Sequence, residues 1–164
     1  PLFRSSYLRE LPLQMAAEGG RNLCEVQCEA YVLKRCGIDC SVDELLEVAK
    51  ENHWIKRAGT PLQYIGNLLE YKGLKDNRKY EATIENIRDA IDSDGNVIVA
   101  VDSDKLYPER PDEEDATNHA VVVTSLYAEI VTIYDPGDHI EVDIKLSLFM
   151  NAWKESRYYL VYTI

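Results

Sequence analysis

Residues 119–137 read HAVVVTSLYAEIVTIYDPG. Two runs rich in β-branched residues, 119–126 and 130–134, flank the short link Tyr127-Ala128-Glu129, a pattern that predicts a β-hairpin. A histidine heads the first run, and an aspartate followed by proline closes the second. If the strands pair, the start of one lies beside the end of the other. His119 and Asp135 are then expected as neighbours, close enough for the carboxylate to accept a hydrogen bond from the ring.

Working outward, the rest of the second half keeps the strand character. Asn96 to Asp102 (NVIVAVD) is a short apolar run, 140–144 alternates, 158–163 (YYLVYT) closes the chain as a strand, and 146–154 suits a short helix. The first half has helical periodicity. One helix is expected from Leu23, with Val26, Ala30 and Leu33 on one face, ending at Cys36-Gly37. A second follows the capping box that Ser41 and Glu44 form, to about Glu51. A third is expected from Thr60-Pro61 to about Tyr71, and a fourth over Ile84 to Asp92. Residues 1–22, broken by Pro12 and Gly19-Gly20, are expected to be a loop-rich opening segment. Residues 103–118 are expected to form a long loop with an acidic run at 112–115. Helices first and a mostly antiparallel sheet second predict an α+β fold, with a cleft between the helical half and the sheet.

The chain has 164 residues, 46% apolar and 9% aromatic, which suits a single globular domain over 1–164. Eighteen Lys and Arg against 29 Asp and Glu give a net charge of −11. Such a field repels phosphate backbones and anionic lipid, so nucleic-acid and membrane-surface partners are not expected. No apolar run approaches the ~20 residues of a membrane span. The first residues, PLFRSSYLRE, carry no initiator Met and no signal-peptide pattern, so the chain is expected to be a processed or excised piece, part of a larger chain, with its compartment open.

The four cysteines stand at 24, 28, 36 and 40. Cys24 falls at the expected start of the first helix, where the helix dipole favours a thiolate and unpaired N–H groups can receive an oxyanion. Cys28 is about 40° away on the same face. A thiolate nucleophile needs an imidazole to exchange its proton and a third group to orient that ring. His119 and Asp135 answer that need. His53 and His139 look like helix-end and turn residues. Zinc binding by the four cysteines is a weaker alternative, because their C-x3-C spacing is wide for a zinc knuckle and Cys36 points about 120° from Cys24. A Cys36–Cys40 disulfide would need an oxidising compartment. The expectation for Cys28, Cys36 and Cys40 is packing as small apolar residues.

The order of these features resembles the papain-like cysteine peptidases, and in detail the bacteriocin-processing (double-glycine leader) peptidase group. The matching features are Cys24 opening a helix that ends at Gly37, a second cysteine at Cys28, a helix start at Gly59-Thr60-Pro61, His119 leading an apolar strand, Asp135-Pro136 after a hairpin, and Phe149 with Trp153 on a late helix. The resemblance spans about residues 14 to 163. It implies a papain-like fold and hydrolysis of peptide bonds by a Cys24-His119-Asp135 triad, on a peptide or protein substrate, without metal or organic cofactor. It also implies an oxyanion donor upstream of the cysteine. The family usually places a Gln about six residues before the nucleophile, whereas here Gln14 precedes it by ten, with Asn22 as the alternative. The family usually has Gly after the nucleophile, where this chain has Glu25. The alternative is a weak or inactive relative that binds a peptide or protein partner. Transfer of the acyl group to an amine by the same triad also stays open. The acidic run at 112–115 would favour cationic substrates if it rims the cleft, and Trp153 is expected in the core or as a wall over the site.

Overall fold

The computed structural model describes residues 2–3, 23–56, 59–109 and 118–163. The chain order is β1 (Leu2–Phe3), α1 (Cys24–Arg35), α2 (Val42–Glu51), β2 (Thr60–Pro61), a 3-10 turn at Leu62–Tyr64, α3 (Asn67–Tyr71), β3 (Asp76–Lys79), α4 (Ile84–Asp92), β4 (Asn96–Asp102), α5 (Ser103–Leu106), β5 (Asn118–Tyr127), β6 (Ile130–Asp135), β7 (Ile140–Lys145), α6 (Leu146–Trp153), a second 3-10 turn at Lys154–Ser156, and β8 (Leu160–Thr163). Six strands form one antiparallel sheet in the order β3-β8-β4-β5-β6-β7, and β1 pairs with β2. Helices with an antiparallel sheet make this an α+β fold.

Local chemistry sets the element ends. After α1, the Gly37 N–H bonds Lys34 O and the Ile38 N–H bonds Leu33 O around a left-handed Gly37 (φ +79°), the Schellman closure that lets a helix stop. Ser41 Oγ accepts the Glu44 N–H at the start of α2, and Thr83 and Asn86 cap α4 reciprocally. The hairpin closes through Ala128-Glu129, with Ala128 left-handed and Tyr127 paired to Ile130.

The apolar run in β4 has a packing reason. Val97, Val99 and Val101 join a core with Ile87 of α4 and Phe149 and Trp153 of α6; Ile98 and Ala100 join the core built by α1, α2 and α3. A strand covered by helices on both faces needs apolar residues at every position. The helices therefore lie on both sides of the sheet, where the sequence suggested one helical half against it. Trp153 takes the core position, one of the two places expected for it. It is fully buried in the opposite core, and its indole N–H donates to Tyr159 O at 2.9 Å.

Three local expectations change. The third helix is interrupted: Pro61 lies in β2, and Gly66 (φ +100°) separates a 3-10 turn from α3. Residues 103–106, expected in a loop, form α5 with Asp102 as its side-chain cap. The Asp76–Lys79 segment, wholly polar, is the edge strand β3, held by pairing with β8. Among the described residues no helix is long and apolar enough to cross a membrane.

Gly66 gives a direct test of the packing. A Cβ there would collide with the Asp76 carboxylate, and its left-handed backbone disfavours any other residue. Gly66→Ala is expected to cost ~1–3 kcal/mol, seen as a fall of roughly 5 °C in melting temperature by calorimetry. An unchanged melting temperature would show that the contact of the α3 start with β3 tolerates a shift.

Candidate active site

His119 and Asp135 meet because of the hairpin. His119 shares the strand parity of Val121 and Val123, and Asp135 that of Val131 and Ile133, so both leave the sheet on one side, near its end. The His119 Nε2 lies 2.8 Å from Asp135 Oδ1, and both side chains are almost wholly buried. Cys24 arrives from α1, which packs on the other face against Ala120 and Val122. The three residues can meet only where helix and strand ends converge. The ring's second nitrogen, Nδ1, is buried and closes no conventional hydrogen bond, while Cys24 is the other group whose hydrogen bonding and charge act on the ring. We place the sulfur contact on the Nδ1 side, because Asp135 occupies Nε2.

Two further groups hold Asp135. Tyr107 donates its hydroxyl to Oδ2, and the Gly137 N–H donates to Oδ1 at 2.8 Å. Tyr107 was missed in the sequence because it follows α5, inside the stretch expected as loop. The Asp102-Ser103 start of α5 was the available signal. Burial pulls the His119 pKa down, but the Asp135 charge and hydrogen bond, then Cys24, outweigh it and raise the ring to about 10. Burial likewise pushes Asp135 up, and His119, Tyr107 and Gly137 together bring it down to about 2. The pair is thus an imidazolium and a carboxylate at neutral pH. For folding, the His119 contribution is complete below its ordinary 6.5 and is lost as pH rises through about 10. The Asp135 contribution is complete above 3.8 and is lost as pH falls through about 2.

The remaining cysteines separate in space. Cys28 is buried, and burial foremost, then the Cys24 charge, pushes its thiol well up. Cys36 is exposed and so is not the core filler expected of it, whereas half-buried Cys40 packs against the core of α1, α2 and α3. Cys36 follows the last residue of α1, past the helix's packed face. No disulfide joins any of the four, and among the described residues no group of three or more His, Cys, Asp or Glu converges as a metal site. No side chain caps α1 at Leu23. Gln14, Asn22 and the acidic run at 112–115 lie outside the described residues.

Glu25, where the resembled family has Gly, is buried beside Cys24 and hydrogen-bonded to Glu29 one turn on. Glu29 also accepts the Leu69 N–H at 3.0 Å and the Gly66 N–H, so it caps α3, which has no side-chain cap of its own. If both were ionised, Glu25 Oε1 and Glu29 Oε2 would be buried acceptors with no donor. One shared proton removes that conflict. Burial first, then the charge and hydrogen bond of Glu29, raise Glu25 well above the usual carboxylate range. The folded chain thus holds a proton that the unfolded chain releases.

Comparisons with known proteins come from structure alone. No protein-family model and no curated protein matches the sequence. Among solved structures, a candidate C39-like peptidase from Bacillus anthracis superposes with a TM-score of 0.70 at 17% identity, covering 100% of this chain and 94% of that one. The fold matches that of this candidate C39-like peptidase. At this identity the likeness concerns backbone architecture, and the chemistry rests on the side chains above.

The shared proton makes a prediction of the same sign as His119 and opposite to Asp135. Because Glu25 binds its proton more tightly when folded, stability should fall as pH rises above the ordinary value of 4.5. Glu25→Gln keeps the shape without the ionisation. Denaturant titration should show its stability relative to the parent increasing from pH 5 to pH 8; a pH-independent difference would mean that Glu25 is not the buried proton carrier.

Proposed function

We propose that the chain is a papain-like cysteine peptidase of the bacteriocin-processing type, a single domain that hydrolyses peptide amide bonds with Cys24, His119 and Asp135. The observation that supports this is the buried His119–Asp135 pair, on whose ring Cys24 also acts by hydrogen bonding and charge. A ring held protonated by a carboxylate on Nε2 has its Nδ1 proton to share with a thiolate. Cys24 attacks the scissile carbonyl, and negative charge moves to its oxygen. The N-terminus of α1, with no side-chain cap, supplies N–H donors and a positive dipole end for that oxyanion. Gln14 or Asn22 is proposed as the further donor.

The leaving amine then takes the proton from His119, and the C–N bond breaks to leave a thioester on Cys24. Neutral His119 next removes a proton from water, hydroxide adds to the thioester, and the carboxylic acid product leaves as Cys24 departs as thiolate, restoring its pair with protonated His119. Asp135 keeps the ring in the tautomer and orientation that both steps need. Tyr107 and the Gly137 N–H keep Asp135 ionised while buried. Peptide or protein substrates follow from the fold resemblance.

A second reading has one observation behind it. Cys24 has no solvent exposure, which suits a domain that binds a peptide without cutting it. Alkylation separates the two. With iodoacetamide at neutral pH, read by mass spectrometry, the peptidase reading expects Cys24 to label ahead of exposed Cys36, and His119→Ala to abolish that lead. Labelling of Cys36 alone would favour the binding domain.

The pH profile is a second check. His119 must be protonated to release the amine, so kcat/KM on a fluorogenic peptide should fall at high pH with an apparent midpoint near 10. Asp135→Asn should lower kcat by about a hundredfold or more and move that midpoint down. A profile flat through pH 10 would remove His119 from the role of acid.

A further inference from the structure

Beyond Cys24, the flank of α1 that turns toward β6 opens into a groove of about 700 Å³. Gln27, Tyr31, Lys34 and Arg35 lie within an arc of ~100° on the helix and line one wall. Tyr134 of β6 forms the facing wall, its ring stacked on Tyr31 at 3.8 Å between centroids and tilted by 27°. Ile38 and Val42 add apolar surface.

Two features of the groove have no structural use. Lys34 has no carboxylate within ion-pair distance among the described residues, and Arg35 lies 5.7 Å over the Tyr31 ring rather than on an acid. Asp39 also lines the groove, against these two cations. Favourable placement at the C-terminal end of α1 accounts for the two cations being there. It does not account for neither cation being in an ion pair among the described residues of a chain of charge −11. Gln27, more than nine-tenths buried, has an Oε1 that meets no donor. Gln27 lines the groove, and its last side-chain torsion is soft. Helical side chains lean toward the N-terminus, so Lys34 and Arg35 reach back over the groove toward Gln27.

We propose that this groove binds the C-terminal end of a peptide. The α-carboxylate sits on Lys34 and Arg35, a backbone N–H within the last two residues donates to Gln27 Oε1, and the terminal side chain packs on Ile38, Val42 and the tyrosine stack. A carboxylate with a neighbouring N–H and an apolar group is what these residues jointly select. The site lies on the flank of α1 and does not depend on Cys24 being a nucleophile.

Fluorescence anisotropy tests it on the Cys24→Ala protein, so that no turnover consumes the probe. Fluorescein-Ala-Ala-Ala-Phe with a free carboxylate should bind saturably, and the same peptide as its C-terminal amide about tenfold more weakly or worse. Lys34→Gln and Arg35→Gln, both at exposed positions, should each weaken the acid by about tenfold and leave the amide unchanged. Gln27→Leu should weaken both forms. The proposal is overturned if acid and amide bind alike, if Lys34→Gln changes neither, or if an amidated peptide with an internal Glu binds as well as the free acid. Displacement by inorganic phosphate at equal concentration would also overturn it, reducing the groove to a general anion site.

Discussion

A histidine and an aspartate held 2.8 Å apart in a site closed to water constrain everything around them. Either charge alone would be costly there, because burial favours the neutral form of both. Together they are stable, and the surrounding structure supplies what the carboxylate still lacks: the Tyr107 hydroxyl and the Gly137 N–H. The hairpin puts the partners on one side of the sheet, and α5 with the turn after it brings Tyr107 against Asp135. The Asp135-Pro136-Gly137 turn aims the Gly137 N–H back at the carboxylate.

The same logic runs through α1 in the opposite sense. Its first residue is the proposed nucleophile, and the next is a carboxyl that, if ionised, would set a like charge against a thiolate. Pairing Glu25 with Glu29 over one proton holds the total charge of that pair near −1, and Glu29 spends its remaining acceptors on the start of α3. One helix thus presents Cys24, ties itself to α3 and keeps Glu25 neutral. Further along, its cationic end borders the groove below β6.

Much of this was legible in the sequence, and the reasons are specific. β-Branched runs around Ala128-Glu129 announce a hairpin, and a hairpin fixes which residues are opposite; hence His119 and Asp135. Ser41 and Thr83 announce helix starts because their side chains serve as caps. What stayed hidden depends on tertiary packing. Asp76–Lys79 has no apolar pattern and is a strand only because β8 offers a partner. Gly66 breaks an expected helix through a backbone angle that no neighbouring residue foretells. Trp153 lies across the sheet from Cys24 because helices cover both faces, which an apolar run such as β4 permits without revealing which helix takes which side. Tyr107 and the Glu25–Glu29 contact join residues through the folded core, beyond any local pattern.

The proposed chemistry depends first on the protonation of His119. ¹⁵N NMR of the ring nitrogens, followed from pH 6 to pH 11 in the parent protein and in Cys24→Ala, reads it directly. The account predicts an imidazolium at pH 7.5 that loses its proton near pH 10 in the parent, and at lower pH once the Cys24 sulfur is removed. A neutral ring at pH 7.5, titrating near its ordinary 6.5, would contradict it.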